Sequence, residues 1–295
     1  MYKSNHSPLH FLRVLVVLLA TLALTLSCSQ PVPKPTGPAG DYQDAKDMFK
    51  RSRLDRALEF TDGLATASPE TSFTERARVL RAVIYTGQIE GYKELAEAYE
   101  KGAEGTKNPH FKAEYGRLRH DNMQDGMTAA LGLAETAHQL LEGGTLPKEL
   151  TLEAPYPSTE GPLEVKELGH VREGGWIEPD QQESAAIDSL NKGIDDALAE
   201  IVSGDRPKVR TALASGSTKI SSLDFALFLS NQLLDGASFF DRKHSHDPLK
   251  FRTLCGEADQ AVKAVETLLK ESPDEDKEKQ LKKLQDRIKA TLKNA

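Results

Sequence analysis

Apolar residues recur at three- and four-residue steps along most of the chain, the period of an amphipathic helix. The first pattern begins after Asp41 and runs through Ala45, Met48, Phe49, Leu54, Ala57, Leu58 and Leu64 to Ser68-Pro69. A second joins Ala77, Leu80, Val83 and Ile84 and ends at Gly87. A third joins Tyr92, Leu95, Tyr99 and Ala103 and ends at Asn108-Pro109. Phe111, Tyr115 and Leu118 then lead into a stripe from Met127 to Leu141, closed by Gly143-Gly144 as a glycine C-cap predicts.

The helical period is lost over 145–180, where Pro147, Pro155, Pro157, Pro162 and Pro179 alternate with glycines. Two pieces of alternating character, Glu149–Glu153 and Leu163–Leu168, predict a small β-hairpin. An irregular stretch this long is either functional or mobile. It contains the single tryptophan, Trp176, within Gly174-Gly-Trp-Ile-Glu-Pro179. Trp176 is expected to plug this segment onto the helices; the alternative is an anchor for a partner.

Helical period resumes from Ala186 to Val202 and stops at Gly204, with a short piece after Arg206-Pro207. Ile220 to Phe240 carries the widest apolar face and is expected at the centre of the second half. A helix follows His246-Asp247-Pro248 through Leu249, Cys255, Ala258, Val262 and Leu269. The final stretch, Pro273 to Ala295, has a narrow stripe of Leu281, Leu284, Ile288 and Leu292 among Lys and Glu, short of the heptads of an autonomous coiled coil. It is expected to dock on the preceding helix; the alternative is pairing with another chain. The fold class expected is all-α, built from antiparallel helical hairpins in two lobes, 41–144 and 181–295, separated by the 145–180 insert.

Composition agrees with this pattern. Aromatics make up 6% of residues and charged residues 28%, a mixture that suits solvated helices better than sandwiches or barrels. The chain is 295 residues long with a net charge of −7. Its first 27 residues hold Lys3 and Arg13 and no acid, so the remaining 268 carry 36 Lys and Arg against 45 Asp and Glu, or −9. With no basic run interleaved with aromatics, nucleic acid is not an expected partner.

Those first residues have their own pattern. Lys3, His6, His10 and Arg13 precede thirteen uncharged, mostly apolar residues, Val14 to Leu26, and then Ser27-Cys28. A basic segment before an apolar run of this length is the signature of a secretory signal. Thirteen helical residues span roughly 20 Å, short of the ~30 Å hydrocarbon core, so a permanent transmembrane anchor is not expected. Leu24-Thr25-Leu26-Ser27-Cys28 resembles a bacterial lipobox. Ser27 matches the small residue before the cysteine, while the usual leucine three before it is Thr25. The resemblance implies cleavage after Ser27, diacylglycerol on Cys28, and a membrane-anchored lipoprotein carrying palmitate-like chains. Ser29 after the cysteine, by similarity to enterobacterial sorting, implies the outer membrane, facing the periplasm. Residues 28–40, rich in proline and glycine, read as an extended tether. The alternative is an ordinary secreted protein in which Cys28 has no role.

The first helical pair resembles a tetratricopeptide repeat. Ala45 and Met48 fall on the small and large positions of its first helix, Leu54 and Ala57 on the start of its second, and Leu64 and Pro69 on its end. The usual Trp, Leu and Gly are replaced by Asp41, Asp44 and Ser52. A looser second copy would use Ala82, Tyr85, Gly91-Tyr92, Leu95, Tyr99 and Pro109. The resemblance implies a tetratricopeptide-like N-terminal half with a concave surface for a protein or peptide.

Candidate chemistry is sparse. With Cys28 lipidated, Cys255 has no intramolecular disulfide partner, and its helical neighbours predict a buried core thiol. His244-Ser-His246-Asp247 is the nearest approach to a metal-ligand cluster, but no third or fourth ligand stands at useful spacing. Ala214-Ser-Gly-Ser-Thr218 is a small-residue turn without the Lys-Ser/Thr of a phosphate loop. Acidic pairs such as Asp195-Asp196 and Asp274-Glu-Asp276 suit solvated helix faces. No catalytic, cofactor-binding or metal residue is assigned, and lipid attachment at Cys28 is the single site. The function expected is a lipid-anchored, non-enzymatic interaction protein of the cell envelope, an assembly or transport accessory subunit. The second reading is a small-molecule binding protein with a cavity between the lobes, and the third an enzyme with a site assembled from scattered residues.

Overall fold

The computed structural model describes residues 35–142, 146–155, 164–202, 204–241, 244–245 and 247–293. The leader, Cys28, most of the tether, Gly143-Gly144 and His246 lie outside the described residues. Residues from Gly37 onward form one compact unit.

The architecture is all-α. Ten helices are described: α1 Pro38–Lys50, α2 Leu54–Ala65, α3 Thr74–Gly105, α4 Pro109–Leu141, α5 Lys166–Arg172, α6 Pro179–Val202, α7 Arg206–Leu213, α8 Ser222–Ala237, α9 Pro248–Glu271 and α10 Glu275–Lys293. Two four-residue strands, β1 Glu149–Leu152 and β2 Thr218–Ser221, complete it. Helix α1 starts within the expected tether because Pro38 suits the first helical turn. Helices α1 and α2 make the expected hairpin, burying Ala45 and Phe49 against Leu54 and Ala57 across a turn at Ser52, whose φ is +56°.

The second and third helical patterns are one uninterrupted helix, α3, of 32 residues. Gly87 does not end it. A Cβ on Gly87 would lie 2.8 Å from the backbone nitrogen of Ile194, so this glycine is where α3 and α6 approach most closely. The residues aligned to a second repeat copy therefore lie mostly along a single rod rather than on two helices of a hairpin. Helix α4 folds back along α3, and α6 packs on the other flank of α3.

The expected hairpin within 145–180 is also replaced. Strand β1 pairs antiparallel with β2, Leu150 opposite Ile220, and all three apolar side chains at 150, 152 and 220 turn into the core. Lys166–Arg172 is helical because Leu168 and Val171 share a face that packs against Leu95, Tyr99 and Tyr115. The apolar helix starts at Ser222, not Ile220. Ser221 caps it by accepting from the Asp224 backbone N–H, and Ile220 belongs to β2.

The halves flanking 145–180 share one core. Val83 and Ile84 of α3, Leu133 of α4, Leu198 of α6, Leu229 of α8 and Leu254 of α9 all belong to it. The two expected lobes thus pack as a single body, because the long antiparallel pair α3–α4 supplies packing surface to both sides.

Candidate functional site

Helix α8 has a divided surface. Phe225, Ala226, Leu229, Leu233 and Ala237 enter the core, while Asp224, Leu227, Asn231 and Asp235 follow one another along a flank. Helix α10 lies along that flank. Lys277 Nζ stands 2.5 Å from Asp224 Oδ1, and Arg287 Nη2 donates to Asp235 Oδ1 at 2.6 Å. Arg287 Nη1 also donates to Asn231 Oδ1 at 2.9 Å. The two ion pairs advance in the same direction, about 16 Å along α8 and about 15 Å along α10, so the helices run nearly parallel.

Between and beyond these clasps the contact is hollow. A cavity of about 520 Å³ has a floor of Ile201, Ile220, Leu227 and Phe228 and walls that include Glu200, Lys219, Asn231, Lys277 and Gln280. A second hollow, of about 290 Å³, shares Ser221, Asp224 and Lys277 with the first and reaches Lys148 and Leu268. A third of the same size shares Leu227, Asn231 and Gln280 and reaches Leu284 and Arg287. Shared walls place the three hollows side by side along α8 and α10, and together they form a segmented trough. Lys219, Ile220 and Ser221 all line it although their side chains alternate across the strand, so the trough meets the free edge of β2.

A polar network backs the trough. Gln232 is buried and donates through Nε2 to Glu200 Oε2 at 3.2 Å, while its Oε1 has no partner. Burial, aided by the nearby carboxylates of Glu200 and Asp235, raises the Glu90 carboxyl to about 7 against the pull of Lys192 and a hydrogen bond with Gln232. Glu200 is raised in the same direction, again chiefly by burial. The network can hold a proton near neutral pH. It contains no nucleophile, and no group of three His, Cys, Asp or Glu among the described residues is arranged to hold a metal ion.

The residues singled out by sequence scatter rather than converge. Cys28, the lipid-attachment candidate, lies outside the described residues. Cys255 is buried in α9, where loss of solvent pushes its thiol up to about 11. Trp176 stacks on Phe111 with ring centres 4.5 Å apart and leans on Tyr115, whose hydroxyl donates to the Gly175 carbonyl. It fastens the insert to the start of α4. His244 Nδ1 lies 2.8 Å from Asp241 Oδ1, and Asp247 caps α9 by accepting from the Lys250 backbone N–H. Asp195 and Asp196 both pair with Arg206, which ties α7 to α6. Asp274 accepts from the backbone N–H groups of Asp276 and Lys277 at the start of α10.

Sequence reading passed over Asp224, Asp235, Lys277 and Arg287. The available signal was two acids and an asparagine on one flank of the most apolar helix, opposite a lysine-rich terminal helix. Glu90 and Glu200 gave no signal, because only the packing of α3, α6 and α8 brings them together. No helix among the described residues is long and apolar enough to cross a membrane. Comparison with protein-family models, curated proteins and solved structures returned no match.

Proposed function

We propose that the chain is a lipid-anchored protein of the cell envelope. Cys28 carries the anchor, the proline-rich segment after it spaces the body from the membrane, and the helical body docks a protein partner along the trough beside α8. As an assembly or transport accessory subunit it acts by holding that partner rather than by chemistry. The observation that carries the docking reading is the trough itself, an extended hollow with an apolar floor, charged walls and a free strand edge. The anchoring reading rests on the basic segment, apolar run and Ser27-Cys28 of the sequence. Two or three acyl chains, each buried CH₂ worth about 0.8 kcal/mol, hold such a protein durably at a bilayer. Ser29 favours the outer membrane, facing the periplasm.

Metabolic labelling with a clickable fatty acid tests the anchor. Label is expected on the wild-type protein and not on Cys28→Ser; label persisting in Cys28→Ser would remove the lipid site. Co-purification from envelope extracts tests docking, with recovery of a discrete protein partner expected. A second reading, a small-molecule binding protein, is favoured by one observation, the 520 Å³ cavity, whose size lies within the range of ligand sites. Native mass spectrometry separates the two: a retained small molecule without a protein partner would favour the second.

A further inference from the structure

Helix α10 is bound to the body more like a ligand than like a core element. It buries only Leu284 and Ile288 of its 19 residues. Hollows run along its length: the trough reaches Lys277, Gln280, Lys283 and Arg287, and another, of about 220 Å³, reaches Arg287 and Thr291. Two buried apolar side chains and a few polar clasps are what fix α10. It carries seven Lys and Arg against four Asp and Glu, with three of those acids in its first turn. The flank of α8 beneath it presents Asp224 and Asp235, and α8 contains no basic residue. On α9, Glu266 accepts from Gln285 Nε2 at 2.7 Å. The clasping pairs are half-exposed, the class of ion pair that solvent competes with most easily. Only Ser272, Pro273 and Asp274 join α9 to α10.

We propose that the groove formed by α8 and α9 is a docking site for a basic amphipathic helix of a partner protein, and that α10 is the resident helix which that partner displaces. Charge complementarity selects the occupant. A helix placing cations about ten residues apart, with two apolar residues between or beside them, satisfies Asp224 and Asp235 and fills the apolar floor. Displacement of α10 unites the hollows into one groove, so the resident helix sets the threshold a partner must exceed. This names the partner chemistry for the docking reading above and rests on that reading.

The test uses the chain's own helix as probe. A fluorescent peptide of the sequence Pro273 to Lys293 is titrated onto the purified full chain. It is titrated in parallel onto a chain loosened in the resident helix by Leu284→Asp and Ile288→Asp. Binding at least about tenfold tighter to the loosened chain is expected, weakening as salt is added. Adding Asp224→Lys and Asp235→Lys to the loosened chain is expected to abolish binding. A peptide carrying Lys277→Asp and Arg287→Asp is expected to restore it on that reversed groove. Equal affinity for wild-type and loosened chains, or no rescue by the charge-swapped peptide while circular dichroism shows helix retained, overturns the proposal. Should either variant chain lose its helix, hydrogen exchange on the wild-type chain decides. Amides of α10 are expected to exchange at least about a hundredfold faster than those of α8, and equal protection overturns the proposal. Because the probe is not the natural partner, a negative result alongside successful partner capture removes only the helical chemistry assigned to that partner.

Discussion

Replacing Glu90 by glutamine should stabilise the protein, and only where Glu90 would otherwise be charged. The Glu90 carboxyl sits among Glu200, Asp235 and Gln232 and titrates at about 7 rather than 4.5. Its folded-state value is raised, so the folded chain holds a proton that the unfolded chain gives up. The stability this provides is fully present below about 4.5 and is lost as the pH rises through about 7. At about 1.4 kcal/mol for each unit, complete desolvation would make the loss roughly 3 kcal/mol. Water reaches part of the side chain, so about 2 kcal/mol is the better magnitude. Glutamine keeps the shape and removes the charge. Thermal unfolding followed by circular dichroism at about pH 5 and about pH 8.5 measures the effect. At the higher pH, Glu90→Gln should melt about 4–8 °C above wild type, using about 2–4 °C for each kcal/mol in a domain of this size. At the lower pH the difference should shrink to a fraction of that. A shift of equal size at both pH values would refute the reasoning, because a packing effect does not follow protonation.

Three further outcomes follow from the packing. Gly193→Ala would press a Cβ onto the Gly87 carbonyl at the α3–α6 crossing, and separating the helices should cost about 1–3 kcal/mol or more, read as a fall in melting temperature. Trp176→Ala removes the stack on Phe111 and should cost about 2 kcal/mol, less than for a fully buried tryptophan; partner capture should be unchanged if Trp176 only fastens the insert. Cys255, buried and with its thiol raised to about 11, should resist a thiol reagent at about pH 8 in the native chain and react promptly in denaturant.

The helical class was legible because it depends on local periodicity, and Ala45, Phe49, Leu133 and Leu254 fall inward as their spacing requires. What the sequence concealed was longer in range. Gly87 looks like a helix end when read locally, yet at a helix crossing its missing side chain serves contact with α6 rather than a turn. Leu150 and Leu152 alternate as a strand should, but Ile220, opposite Leu150, is seventy residues away, and no local rule points to it. Lys166 to Leu168, read as the end of an alternating piece, belong to α5, because burial of Leu168 and Val171 on one face decides for helix. The trough was half legible. Acids on the flank of an apolar helix and lysines on the last helix were both visible, but their pairing follows from the turn at Ser272–Asp274, which sends α10 back along α9 and beside α8.

Docking along the trough is tested most directly by photo-crosslinking in intact envelopes, with a benzophenone amino acid placed at Lys219 on the free edge of β2 or at Lys112 on the exposed side of α4. A discrete crosslinked protein from position 219, absent from position 112 and reduced in the Cys28→Ser chain, is the predicted result. The same product from both positions, or none from position 219 while the protein is present at the membrane, would contradict it.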